Sequence, residues 1–253
     1  VVTVELAVLA PLVGLAAGFL GAMFGLGGGF LMVPLLTMAG TDMRVAIGTS
    51  SAAILFNAVS AVVAYSRYRY VVYRAGLIIS VASVATAYLG ARLTRIVDVR
   101  VLKVLFGIVL IYVAVRVALA RRGGDRGVEN YRLAWTPRTY LAVTSGGLLA
   151  GLVAGLLGVG GGVVNVPLLT FLGVPMHNAV ATSTLAIAVT STSSAVTHYT
   201  IGNVDLQLLA LLAPTLVVGA QLGAATAKRL RSLTLRRGFA ALLVFIALRT
   251  MLS

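Results

Sequence analysis

An all-α fold, a polytopic transmembrane helical bundle of two homologous halves, is predicted by three features of this 253-residue sequence. The chain is 60% hydrophobic with only 10% charged residues, and its mean hydropathy is +1.04. Uncharged stretches recur at Leu6–Thr41, Val45–Ser66, Ala75–Ala91, Thr139–Met176 and Leu206–Ala227, each as long as or longer than the ~17–25 residues that span a bilayer as helix. Shifted by 133 residues, the sequence aligns with itself without a gap, the mark of a tandem duplication.

The first element, Leu6–Thr41, is too long for one crossing. Its 36 residues would extend about 54 Å as helix, against a hydrocarbon core of about 30 Å. The chain must turn inside it, and "FGLGGGFLMVPLLTMAG" (Phe24–Gly40) holds the strongest helix breakers, glycine and proline. A turn at the membrane surface would also use glycine. Two features favour a short or re-entrant segment inside the membrane: the break is purely apolar and glycine, and the segment after it, Phe30–Ala39, is too short to cross.

Next comes the hydroxyl cluster Thr49-Ser50-Ser51 at the head of the second apolar run. Such hydroxyls often serve as packing glue between helices; as part of a duplicated pattern they point to a polar lining. The basic loop Arg67–Arg74 and the apolar runs Ala75–Ala91 and Val104–Val115 complete the first half. The second half repeats this order: "GVGGGVVNVPLLTFLG" (Gly158–Gly173) answers "GLGGGFLMVPLLTMAG", and Thr182-Ser183-Thr184 answers the first cluster. Over positions 25–50, 14 of 26 residues match their partners. The expected organisation is a first transmembrane repeat over 1–120, a polar basic linker over 121–138 and a second repeat over 139–253. Matched Gly/Pro-interrupted segments in two halves are the best sequence pointer to a transporter's binding site, and helix N-termini there suit an anion.

The net charge of +14 lies between the apolar runs, as topology signals and lipid-headgroup contacts do, so nucleic acid is not an expected partner. With Arg67–Arg74, the linker and Lys228–Arg237 on one side, 13 basic residues face the four of Arg92–Lys103. The positive-inside rule makes the first side, with linker 121–138, cytoplasmic. Equivalent loops then fall on opposite faces, which predicts inverted repeats. No removable signal peptide is expected.

The paired glycine motifs, each followed by an A-x-x-T-S element, resemble the TauE/SafE-like sulfite exporter family of prokaryotic membrane proteins, over nearly the whole chain. The resemblance implies a secondary transporter of a small anion, sulfite or a related organosulfur anion, in the cell membrane. An anion channel, or a carrier of another small organic anion, is the alternative. It carries over as substrate-binding positions Gly25, Gly27, Gly28, Gly29, Pro34, Thr49 and Ser50 in the first half. In the second half it carries over Gly158, Gly160, Gly161, Gly162, Pro167, Thr182 and Ser183. Asn57 and Thr190, and Asn165 opposite Met32, join the candidate site where the copies diverge, as Tyr65 and His198 also do. The site is expected to be pseudosymmetric.

An enzyme is not expected. The six acids and two histidines lie near the ends of apolar runs or in the linker, no metal-ligand spacing occurs, and there is no cysteine. "GLGGG" lacks the Lys-Ser/Thr of a phosphate-binding loop. Neither cofactor nor metal is implied. The GxxxG spacings at Gly14/Gly18 and Gly147/Gly151/Gly155 read as helix-packing contacts.

Overall fold

The computed structural model describes residues 4–119 and 127–230, with 237–238, 240–241 and 244–245. Among the described residues the chain is all helical, with no strand. The helices are α1 (Val4–Phe24), α2 (Gly29–Met38), α3 (Met43–Arg67), α4 (Tyr73–Leu93), α5 (Val99–Leu119), α6 (Pro137–Leu157), α7 (Gly162–Phe171), α8 (Met176–Thr200) and α9 (Leu206–Arg229). The starts of α6 to α9 each lie 133 residues after those of α1 to α4, so the duplication seen in sequence is a duplication of helices. Residue 120, linker residues 121–126 and positions 231–236 of the last basic cluster lie outside the described residues.

Five helices, α3, α4, α6, α8 and α9, are long and apolar enough to cross a membrane. The long apolar runs break where the glycines demanded it. α1 stops at Phe24 and α2 restarts at Gly29; α6 stops at Leu157 and α7 restarts at Gly162. Each of α2 and α7 has 10 residues, about 15 Å of helix and half a hydrocarbon core.

The halves interleave. In space the packing order is α1 on α9, α9 on α3, α3 on α8, α8 on α4 and α4 on α6, so the fourth helix of each half packs only among helices of the other half in this row. Glycines make the outer contacts close. Gly147 and Gly151 of α6 lie on Ile79 and Ser83 of α4, and Gly14 and Gly18 of α1 lie on Leu212 and Leu216 of α9. A side chain at any of them would strike the neighbouring backbone, so the GxxxG positions are helix contacts. At the centre, Gly48 and Thr49 near the start of α3 meet Asn203 and Asp205 beyond the end of α8. Tyr70, beyond the end of α3, meets Asn178 in the first turn of α8. α3 and α8 therefore run antiparallel.

The basic segments converge on one face. Asn130 N–H donates to Arg69 O (3.0 Å), and Asn178 Nδ2 donates to both Tyr70 O (2.9 Å) and Val128 O (2.7 Å). These bonds hold the end of the linker against the α3–α4 turn. Lys228 at the end of α9 stands 4.2 Å over the Tyr68 ring on the same face. On the opposite face, Arg44 donates to Thr94 O (3.2 Å) and Val97 O (3.3 Å), the free carbonyls after α4. Three aspartates cap helices: Asp42 accepts from Arg44 N, Asp98 from Arg100 N and Asp205 from Leu208 N, which satisfies donors that a helix start leaves open.

Candidate functional site at the two glycine breaks

The two breaks touch. A methyl group built on Gly29 would strike the carbonyl oxygen of Gly158, and one on Gly162 would strike that of Gly25. Ile54 of α3 and Ile187 of α8 close over Gly27 and Gly160 from both halves. The ends of α1 and α6 and the starts of α2 and α7 therefore share one central region, which brings together all eight predicted glycines. Gly28 and Gly161 are the N-caps of α2 and α7, with φ of 94° and 73°. That left-handed geometry is cheap only for glycine, and neither cap has a side-chain hydrogen bond to the first turn. Free N–H groups at these two helix starts give each a partial positive charge.

Breaking a helix in a dry core releases carbonyls that need donors, and the structure supplies a donor for each half. Tyr65 Oη donates to Ala22 O (2.9 Å), and His198 Nε2 donates to Gly155 O (2.9 Å). Positions 22 and 155 are equivalents, as are 65 and 198, so two unlike residues make the same bond. Asn203 Nδ2 lies 3.5 Å from His198 Nδ1, which agrees with a neutral ring protonated on Nε2. Ser183 Oγ donates to Gly25 O (2.7 Å) and Asn57 Nδ2 to Gly27 O (2.6 Å). Ser50, the equivalent of Ser183, is fully buried and its Oγ has no partner.

Thr49 and Thr182 hold the halves together. Thr49 Oγ1 accepts from Asp205 N (3.0 Å), and Thr182 Oγ1 accepts from Val72 N (2.9 Å). Each thus stabilises the start of a helix belonging to the other half. Thr190 donates to Ala186 O (2.8 Å) and is bonded to Ser83 of α4, a residue that sequence reasoning missed. Asn165 is buried in α7, and its Oδ1 has no partner. Pro34 and Pro167 sit inside α2 and α7. Thr37 and Thr170, three residues on, donate to the proline carbonyls (2.9 Å each).

No arginine, lysine, aspartate or glutamate is buried among the described residues, and no cluster of metal-ligating side chains occurs among them. The centre is uncharged. Its polar equipment consists of helix ends, hydroxyls, two amides and the His198 imidazole.

Comparison with known proteins agrees with this architecture. The family model "Sulfite exporter TauE/SafE" matches residues 10–250. The chain is 32% identical to the "Probable membrane transporter protein YunE" of Bacillus subtilis, over 90% of this chain and 91% of that one. It is 28% identical to the "Probable membrane transporter protein MJ0441" of Methanocaldococcus jannaschii, over 87% and 86%. A shorter match, 35% identical over 40% of this chain and 20% of the relative, reaches the "Sulfite exporter TauE/SafE family protein 3" of Arabidopsis thaliana. These are names of membrane transporters, not enzymes. With its family model matched almost end to end, and its long apolar helices and paired breaks in place, the chain belongs to the TauE/SafE sulfite exporter family of membrane transporters.

Proposed function

We propose that this protein is a secondary transporter that carries a small anion, sulfite or a related organosulfur anion, through a site between its two repeats. The observation that carries this reading is the meeting of the two glycine breaks. Two half-length helices start there, in a region that holds no full charge. Helix N-termini stabilise anions, and an uncharged site binds a small anion without trapping it. The candidate residues are the eight glycines with Ser50, Asn57, Asn165, Ser183 and Thr190. Pro34 and Pro167 lie inside the two half-length helices, and Thr49 and Thr182 set the spacing of the halves.

The repeats, 1–120 and 139–253, are read as inverted. Antiparallel packing of the equivalent helices α3 and α8 supports this, as does the gathering of the Arg67–Arg74 turn, the linker end and Lys228 on one face. That face is assigned to the cytoplasm by the positive-inside rule, in the cell membrane. The tight fit of the breaks against each other supports a carrier with an occluded centre over an open channel.

The test is sulfite flux into proteoliposomes made with the purified protein. Saturable uptake, accelerated by sulfite preloaded inside, is expected. Flux linear in concentration with no counterflow would favour a channel. No flux of sulfite, thiosulfate or small sulfonates would end the anion reading.

A further inference from the structure

Resting on that reading, we infer that the anion binds behind one break only, the second, and that Ser83 and Ser191 join Asn165 and Thr190 in recognising it. The argument comes from comparing equivalent positions of the two halves. Behind the first break lies a continuous apolar cluster that includes Ala10, Leu36, Ala46, Ala53, Leu208 and Leu212. The equivalent positions behind the second break, Val143, Leu169, Ala179, Ala186, Ala75 and Ile79, also form one cluster. The first cluster continues inward through Met32, Ala58 and Leu216 to Ala17. The second stops there. Its three equivalent positions hold Asn165, Ser191 and Ser83, exposed by only 1%, 2% and 0%.

Independent contacts place these residues at the level of the break. Gly151 of α6 lies against Ser83, and its neighbour Ala150 supplies the carbonyl 3.0 Å from a Cβ built on Gly161, the N-cap of α7. Asn165 is one turn into α7, its N–H bonded to Gly161 O (3.1 Å). Ser83 is bonded across to Thr190 of α8. Two polar atoms in this layer, Asn165 Oδ1 and Ser191 Oγ, have no partner. A buried polar group left unpaired is costly and calls for a partner. The equivalent layer at the first break is apolar in three of its four positions: Met32, Ala58 and Leu216 need no partner, and Asn57 spends its Nδ2 donor on Gly27 O, which leaves its Oδ1 unpaired, as is the hydroxyl of Ser50.

A cleft lies beside the second layer, separated from it by the α4 and α8 side chains. This cleft, of about 840 Å³ between α3, α4 and α8, is lined by Val84, Thr192 and Ser193, the neighbours of Ser83 and Ser191 along their helices, and Arg92 stands in its wall. The position equivalent to Arg92 is Ala225, so the electrostatic attraction is as one-sided as the layer.

The ligand class follows from the donor set. Hydroxyls, an amide and helix N–H groups, with no buried cation, suit a small singly charged oxyanion. The unpaired carbonyl oxygen of Asn165 further suits one that bears an O–H, as hydrogensulfite does.

The experiment is calorimetric titration of the purified full chain with sulfite, with melting temperature recorded for every variant. One site per chain is expected. Asn165→Met, which installs the first-half residue, and Ser191→Ala should each weaken binding roughly 10- to 100-fold, the worth of a hydrogen bond to a charged group. Met32→Asn should leave affinity within about twofold, a change below the value of one such bond. The inference is overturned if the parent binds two anions per chain, or if Asn165→Met and Ser191→Ala both bind as the parent does. It is equally overturned if Met32→Asn weakens binding as much as they do. A parent that binds neither sulfite nor thiosulfate overturns the anion reading itself, and this inference with it. Ser191→Ala removes one atom from a packed position, so it keeps the test open if Asn165→Met folds poorly.

Discussion

His198 and Tyr65 make the same bond to equivalent carbonyls, so the removal of each should cost more the less its carbonyl retains. His198→Leu takes away the Nε2–H that meets Gly155 O at 2.9 Å, in a site where the ring is fully buried. Leaving such an acceptor unpaired costs about 1–3 kcal/mol, and the dry surroundings argue for the upper half of that range. Tyr65→Phe removes the matching bond to Ala22 O, but that oxygen also accepts from Gly25 N at 3.3 Å. Its cost should be nearer 1 kcal/mol. His198→Gln keeps an N–H donor of similar reach and should recover most of the loss. The assay is reversible unfolding in mixed micelles titrated with denaturing detergent, comparing the three variants with the parent. Sulfite flux should persist in His198→Gln, because the bond that the residue makes serves the break. The reasoning is refuted if His198→Leu is as stable as the parent. It is also refuted if His198→Gln folds normally but has lost flux, since the ring would then have a transport role that the geometry does not give it.

Three further outcomes are expected. Thr49→Val and Thr182→Val should each cost about 1–3 kcal/mol of stability by stranding the N–H of Asp205 or Val72, with sulfite affinity little changed in whatever remains folded; unchanged melting temperatures would count against their role in joining the halves. Gly151→Val should prevent normal packing, because its side chain would enter the Ser83 backbone, and a variant as thermostable as the parent would contradict the α4–α6 contact. With no cysteine in the chain, Glu129→Cys and Ile96→Cys report sidedness: an impermeant thiol reagent applied to intact cells should label position 96 and spare position 129, and the reverse pattern would invert the membrane orientation.

Much of the fold was legible because its causes are local. The apolar runs mark the helices, and "GLGGG" and "GVGGG" stop them for a steric reason visible in the letters. The 133-residue offset carries every helix start from α1–α4 to α6–α9. The GxxxG spacings declared close helix contacts and make them. What the spacings could not declare was the partner: α1 packs on α9 and α4 on α6, and no pattern within one helix says which other helix will cover it. The hydroxyl cluster was half legible. Its polarity was read as a lining, yet Thr49 and Thr182 spend their oxygens on backbone N–H groups more than a hundred residues away, a use that depends wholly on tertiary structure.

The breaks themselves show why a site hides from sequence even when its position does not. A glycine at φ near +94°, as at Gly28, announces itself. The groups that service the released carbonyls do not, because chemistry requires only a donor of the right reach. A tyrosine hydroxyl and a histidine N–H qualify equally, so positions 65 and 198 look like divergence when they are conservation of one bond. Arg44 and His177 repeat the lesson at the helix ends: Arg44 donates to Thr94 O and Val97 O, and His177 Nε2 stands 3.0 and 3.1 Å from the equivalent Ala227 O and Leu230 O. True divergence is found where one half keeps a hydrocarbon and the other buries a polar group without a partner, as at Met32 and Asn165. The same geometry changes which glycine variants can inform on binding. A side chain at Gly28 would sit 2.6 Å from Ala17 O, so Gly28→Val reports on folding before it reports on the anion. A folded chain needs the glycines, so variants that inform on binding belong at the residues around them.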